Sequence, residues 1–401
     1  MKWQAIAVAS VLALATQASA ADKNYGPGTS DTEIKLGQTS PFSGPASAYS
    51  VIAKTQAAYF KMINDQGGVN GRKINLITLD DAYSPPKTVE QTRKLVEQEE
   101  VAVILNPLGT PTGLAVRKYL NDKHVPQLFV GAGATLWGDY EHFPWTMGFQ
   151  PSYQAETAVY AKYLLSRMPD AKVALFYQND DAGKDYGNGF KKGLGPENTA
   201  KMVVAEATYE STDPTIDSQI VRLKSSGANV LFMHAIPKQA AQAIKKIGEI
   251  GWKPDIFFLA ATSTSIASVM KPAGFDHSQG IISSYTNKDP NDLQWKDDKD
   301  VQAWHDFMKK YFADGNLQDQ LIVYGYVVAE ATVQVLKQCG DDLTHENIMK
   351  QAANLDIALP MMLPGIRLKT SPTDYYPIQA MRLQKFNGET WELFGDTIGN
   401  D

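Results

Sequence analysis

Short β-rich apolar runs alternate along the chain with longer segments of helical period. The strand pattern falls on Ile34–Thr39, Lys73–Leu79, Val101–Leu105, Gln127–Gly131, Lys172–Tyr177, Asn229–Met233, Ile256–Ala260 and Gly280–Ser284. Helix-length stretches lie between, at Thr55–Gln66, Thr88–Gln98, Gln154–Arg167, Thr215–Ser225 and Lys238–Ile250. In the last of these, Ala240, Ala241, Ile244, Ile247 and Gly248 share one helix face. Alternation of this kind predicts an α/β fold with parallel sheets covered by helices on both sides. The unbroken apolar run Val101–Leu105 fits such a doubly covered strand. The rhythm pauses at Gly148–Ser152 and across the polar stretch Tyr285–Asp300. A helical region resumes at Val301–Gln338, a Pro-bearing segment follows at Pro360–Pro377, and Ile378–Phe394 reads as a hairpin turning at Asn387-Gly388.

The first twenty residues read as an export signal: Lys2 precedes the apolar run Ala5–Ala15, and Ala18-Ser19-Ala20 places small residues at a peptidase site. Cleavage after Ala20 into the periplasm is expected, with no cysteine at that point to carry a lipid. No later segment reaches about 18 apolar residues, so membrane embedding is not expected. The 401 residues carry 38 Lys+Arg against 44 Asp+Glu, a formal charge of −6, without a basic block. That argues against nucleic acid as a partner. At 43% hydrophobic and 20% charged, the composition excludes a disordered or collagen-like chain. The length predicts two or three folded units at about 100–200 residues each. A single cysteine, Cys339, excludes an intramolecular disulfide or a cysteine-based zinc site, and its helical apolar setting predicts a buried thiol.

Catalytic motifs are missing. Gly131-Ala-Gly133 continues into Ala134, Thr135 and Leu136, so the third glycine of a dinucleotide fingerprint is absent. No phosphate-loop Gly-Lys-Ser/Thr and no Gly-x-Ser-x-Gly elbow occurs. The six histidines, His234 among them, are dispersed and read first as surface or packing residues. Asn179–Asp185 imitates the start of a calcium loop, but the twelfth position is Phe190, so a turn leading into a helix is expected. Neither metal nor cofactor is expected.

Three loops at predicted strand ends carry small hydroxyl, glycine and aromatic residues: Ser40–Tyr49, Leu108–Thr112 and Gly131–Thr135. Glycine backbone and Ser/Thr hydroxyls at helix starts suit a carboxylate, and open α/β sheets bind ligands at strand carboxyl ends. One such loop reads as helix capping. Three on adjacent strands point to an anion-binding cleft.

Glu33–Pro45, Ala57–Lys73, Asp80–Lys87, Gly131–Thr135 and Asp185-Tyr186-Gly187 together resemble the branched-chain amino-acid-binding family of periplasmic ABC-transporter receptors. The resemblance covers nearly all of the chain after the signal. It implies a type I periplasmic-binding fold: two Rossmann-like doubly wound lobes joined by three hinge crossings, enclosing a ligand. Residues 31–150 plus 285–370 would form lobe 1, and 151–284 plus 371–401 lobe 2. The resemblance places a carboxylate-binding hydroxyl at Thr110, just after Leu108, and a second at Thr135, with Gly133 and Ala134 giving backbone groups. Tyr49 and Tyr186 match flanking aromatic positions, and Phe42, Tyr83 and Trp137 add aromatic surface. His234 and Ile236, after the strand Asn229–Met233, and Thr262 complete the candidate ligand-binding set.

Two departures stand out. The family's cysteine pair is absent, with Tyr83 and Gly109 close to those positions. The acidic partner of a ligand ammonium should follow Ile256–Ala260, where Ala261-Thr262-Ser263-Thr264 has no carboxylate. A buried ammonium without a partner is costly. The ligand expected is therefore an amine-free aromatic acid, a benzoate or a hydroxycinnamate such as p-coumarate, delivered by a monomeric receptor to an inner-membrane ABC permease. A branched-chain or other amino acid, with Asp181 or another acid reaching its ammonium, is the alternative. A ligand-sensing module and an enzyme on a doubly wound fold are the other classes, because fold alone does not fix function.

Overall fold

The computed structural model describes residues 23–399, so the expected signal segment lies outside the described residues. Two sheets organise the chain. The first is parallel, with strands in the order Lys73–Asp80, Glu33–Ser40, Val103–Leu105, Gln127–Val130 and Thr146–Gly148. The second runs Trp391–Gly399, Ala380–Phe386, Ile282–Tyr285, Ile256–Leu259, Val230–His234, Val173–Gln178 and Val203–Tyr209. Its last five members are parallel, and the C-terminal hairpin joins antiparallel to Ile282–Tyr285. Both sheets have the doubly wound order, in which the chain starts in the middle and winds out to either side.

The eight predicted strands form within one to two residues of their expected bounds. The two main sheets gain two more, the short Thr146–Gly148 and the edge strand Val203–Tyr209, whose exposed Val204 obscures its pattern. The hairpin turns where expected, with Asn387 N–H donating to the Thr390 carbonyl at 3.0 Å. The calcium-like run proves to be a helix cap: the Asp180 carboxylate accepts from Gly183 N–H at 2.9 Å and opens the helix Asp181–Leu194.

One core joins Ile34, Phe60, Phe129 and Leu128 of the first sheet region to Trp304, Val328, Tyr375 and Ile378. The helices Lys299–Tyr311 and Gln320–Cys339 therefore pack on the first lobe. Because Ile378 belongs to that core and Ala380 begins a strand of the second sheet, the last crossing falls between them. The other crossings lie at 148–153 and 285–287. Two further cores mix residues of both lobes: Ala46, Tyr49, Ile52 and Leu108 pack with Met233 and Ile236, and Ala134 and Trp137 with Tyr153 and Tyr186. The lobes are closed on one another.

Candidate functional site

A cavity of about 100 Å³ lies between the lobes, room for several waters or one small organic molecule. Its walls come from the carboxyl ends of the central strands of both sheets and from the crossing at 284–287. Of the candidate residues, Tyr49, Tyr83, Leu108, Thr110, His234, Ile236 and Thr262 line it.

Thr110 opens the helix Thr110–Asp122, and its buried Oγ1 has no hydrogen-bond partner among the described residues. A free hydroxyl beside the positive end of a helix is suited to a carboxylate. Thr262 Oγ1 and His234 Nδ1 are likewise buried and unpartnered. Burial pushes the His234 imidazole down to about 3, so it is neutral at physiological pH. Tyr186 stacks on it at 4.4 Å and on Tyr153 at 3.9 Å. Across the mouth, the Tyr49 hydroxyl of one lobe donates to the Thr262 carbonyl of the other at 3.0 Å.

Tyr83 reaches the cavity in a strained conformation: Ala82 and Tyr83 have φ of 53° and 59°, a left-handed pair without glycine. The ring lies over Gly109, whose φ is 100°, and a Cβ there would fall 2.5 Å from Tyr83 Cε2. Tyr83 and Gly109, close to where the resemblance places a cysteine pair, thus meet as an aromatic ring on a glycine.

Six candidates do not line the cavity. Phe42 is 38% exposed, at the outer end of its loop. Gly133 is pressed on the first crossing, where a Cβ would lie 2.4 Å from the Pro151 carbonyl, and Ala134 is buried in the core that joins the lobes. Thr135 spends its donors on the protein's own acid: its N–H and its hydroxyl both reach Asp185 Oδ2, at 2.7 and 2.9 Å. Tyr186 sits one layer behind the wall, its hydroxyl donating to Glu156 at 3.1 Å. Trp137, counted among the aromatic surface, is buried in the same core as Ala134.

The sequence reading missed Glu156. Helix Tyr153–Arg167 carries it into the cavity wall, where it accepts from Tyr160 OH at 2.7 Å, Ala261 N–H at 2.8 Å and Tyr186 OH. A carboxylate therefore does reach the end of Ile256–Leu259, from a different element. No Lys or Arg lines the cavity among the described residues. Burial pushes the Glu156 carboxyl up, against the pull of Tyr160, Ala261, Tyr186 and Ser284. Tyr153, Tyr285, Tyr324, Asn287 and Gln320 were also missed, and only the segment that holds Tyr285 and Asn287 was marked, as a pause in the pattern. No group of three or more His, Cys, Asp or Glu is placed to hold a metal among the described residues.

Two doubly wound lobes, three crossings and a buried polar cavity define the type I periplasmic-binding fold, the architecture of a solute-binding receptor. The chain belongs to the periplasmic binding protein family, whose sequence profile matches residues 33–390. It is 23% identical over 327 residues to a Leu/Ile/Val-binding protein homolog of Brucella abortus, spanning 79% of this chain and 81% of that one. A branched chain amino acid ABC transporter protein of Thermus thermophilus with bound valine superposes with a TM-score of 0.81 at 16% identity, over 92% of this chain and 97% of its own. An ABC-transporter solute binding protein of R. palustris in complex with 4-hydroxybenzoate gives 0.76 at 19% identity, over 92% and 97%. Among the described residues no helix is long and apolar enough to cross a membrane.

Proposed function

We propose that this receptor captures a small carboxylate with an aromatic body, of the benzoate or hydroxycinnamate class, in the periplasm and delivers it as a monomer to an inner-membrane ABC permease. The observation that carries this reading is the wall itself. Tyr49, Tyr83, Tyr153, Tyr285 and Tyr324 surround the cavity, while the unpartnered Thr110 hydroxyl stands at a helix start. Tyrosine rings suit a flat apolar body. With no cationic side chain in the wall, helix dipole, backbone N–H and hydroxyl hold the carboxylate.

Glu156 favours a second reading, an amino acid whose ammonium pairs with that carboxylate. Isothermal titration with p-coumarate, ferulate, benzoate, leucine and valine separates the two. Heat from an aromatic acid and none from leucine or valine is expected; tight leucine or valine binding without any aromatic acid would overturn the assignment. Thr110→Val keeps the shape and removes the free hydroxyl, and a lost hydrogen bond to a charged group costs about 1.5–3 kcal/mol, roughly tenfold or more in affinity. An unchanged affinity in that variant removes Thr110 from the site.

Capture between lobes requires them to part. Opening breaks the Tyr49–Thr262 bond, and the crossings at 148–153, 285–287 and 378–380 absorb the rotation. Small-angle scattering should show a smaller radius of gyration on saturation with the ligand found by titration. Identical profiles with and without it would count against a closing cleft.

A further inference from the structure

The cavity has a second polar cluster, away from the helix start at Thr110, built where the chain crosses at 284–287 and meets the start of helix Gln320–Cys339. Tyr285 OH, Asn287 Oδ1 and Gln320 Oε1 are all buried there without a partner. Asn287 and Gln320 are each 4% exposed. An amide can be turned end for end without changing its outline, so the orientation of Gln320 decides what the cluster presents. Its neighbours fix it. Gln384 Nε2 donates to the Ser284 carbonyl at 3.4 Å, which leaves Gln384 Oε1 as an acceptor. That oxygen and Asp289 Oδ2 both receive Gln320 Nε2, at 3.3 and 2.9 Å. With both neighbours accepting, the nitrogen of Gln320 points away from the cavity, and its oxygen is the unpartnered atom.

The wall is therefore rich in acceptors. Gln320 Oε1 needs a hydrogen, the Glu156 carboxylate already takes its donors from the protein, and the two acids Asp289 and Asp319 lie buried beside the start of the same helix. A second carboxylate on the ligand would meet like charge and unpaired acceptors. An ether or a bare ring edge would leave Gln320 Oε1 unsatisfied, which costs about as much as a lost hydrogen bond. A hydroxyl or N–H donor answers the site.

We propose that Gln320 is a specificity-determining residue: it selects ligands that carry, besides their carboxylate, an O–H or N–H donor on a separate atom, and it rejects dicarboxylates. The inference rests on the aromatic-acid reading and narrows it to ring-hydroxylated members. Tyr285 and Asn287 complete the contact, each able to adjust its own hydrogen bond to the donor that Gln320 holds.

The test uses ligands that differ in one group. Isothermal titration compares p-coumarate with cinnamate and with 4-methoxycinnamate, whose oxygen carries no hydrogen, and compares 4-hydroxybenzoate with benzoate and terephthalate. In at least one series the hydroxylated acid should bind about tenfold or more tightly than both its bare and its blocked analogue. Terephthalate should give no heat. Gln320→Met should lower the affinity of the hydroxylated acid about tenfold and leave that of the bare acid within about twofold, closing the gap between them. Equal binding of hydroxylated and bare acids by the parent protein overturns the role of Gln320 and leaves the aromatic-acid reading standing. Binding of the methoxy acid as tightly as the hydroxy acid overturns it as well. Silence from every aromatic acid overturns both. The comparison within the parent protein decides the matter even if Gln320→Met, deprived of its bonds to Asp289 and Gln384, does not fold.

Discussion

Glu156→Ala is expected to destabilise the protein by about 3–5 kcal/mol, because it strips several buried donors of one acceptor. Tyr160 OH and Ala261 N–H both end on Oε1, and Tyr186 OH ends on Oε2. These donors belong to a helix, to the loop after Ile256–Leu259, and to the helix Asp181–Leu194. One carboxyl thus ties together three elements of the second lobe. Glu156→Gln keeps an acceptor for Ala261 and Tyr160 and should recover most of the loss. Urea denaturation of the two variants beside the parent measures this. A cost below about 1 kcal/mol for the alanine variant would show that the three donors find other partners.

Glu330→Gln is expected to stabilise the protein at pH 8 and to leave it nearly unchanged at pH 4.5. Glu330 lies on helix Gln320–Cys339 with Oε2 buried and unpartnered. Burial first, and the Asp300 carboxylate second, push it up to about 7 from an ordinary 4.5, with Lys337 pulling weakly the other way. A carboxyl whose native pKa exceeds its unfolded value binds its proton more tightly in the native state. Its contribution is therefore complete below about pH 4.5 and is lost as pH rises through about 7. At about 1.4 kcal/mol per pH unit the loss is of the order of 3 kcal/mol, less whatever residual hydration returns. The glutamine variant removes the titration and keeps the shape. The difference in unfolding free energy between variant and parent, followed from pH 4.5 to 8, should grow by about 2–3 kcal/mol. A difference that is flat with pH would mean that Glu330 does not titrate in this range.

The sheet strands were legible because each is a short apolar run between polar turns, a signal that needs no knowledge of the partner strand. Val203–Tyr209 escaped because an edge strand alternates buried and exposed positions and so lacks that run. The site was legible in part. Thr110, Leu108 and Tyr49 lie in loops whose composition marks them, and the structure brings them to one cavity. Thr135 carries the same signal yet faces Asp185, fifty residues away, a partner that composition does not reveal. Glu156 shows the converse. On helix Tyr153–Arg167 it reads as an ordinary first-turn acid, and only the packing of that helix against the end of Ile256–Leu259 turns it into the cavity. Gln320 and Asn287 likewise gain meaning from neighbours distant in the chain, Gln384 among them.

The contact of Tyr83 on Gly109 has a bearing on how the protein can be produced and handled. This cleft floor carries no cysteine: the Tyr83 ring packs on Gly109, and Tyr83 N–H donates to Asp81 at 2.9 Å. The one thiol, Cys339, is buried, and its surroundings push it up to about 12, far from the thiolate that attacks disulfides or oxidants. Folding yield, melting temperature and ligand affinity are therefore indifferent to dithiothreitol. Protein prepared with and without reductant should match, and long storage in air should bring no covalent dimers.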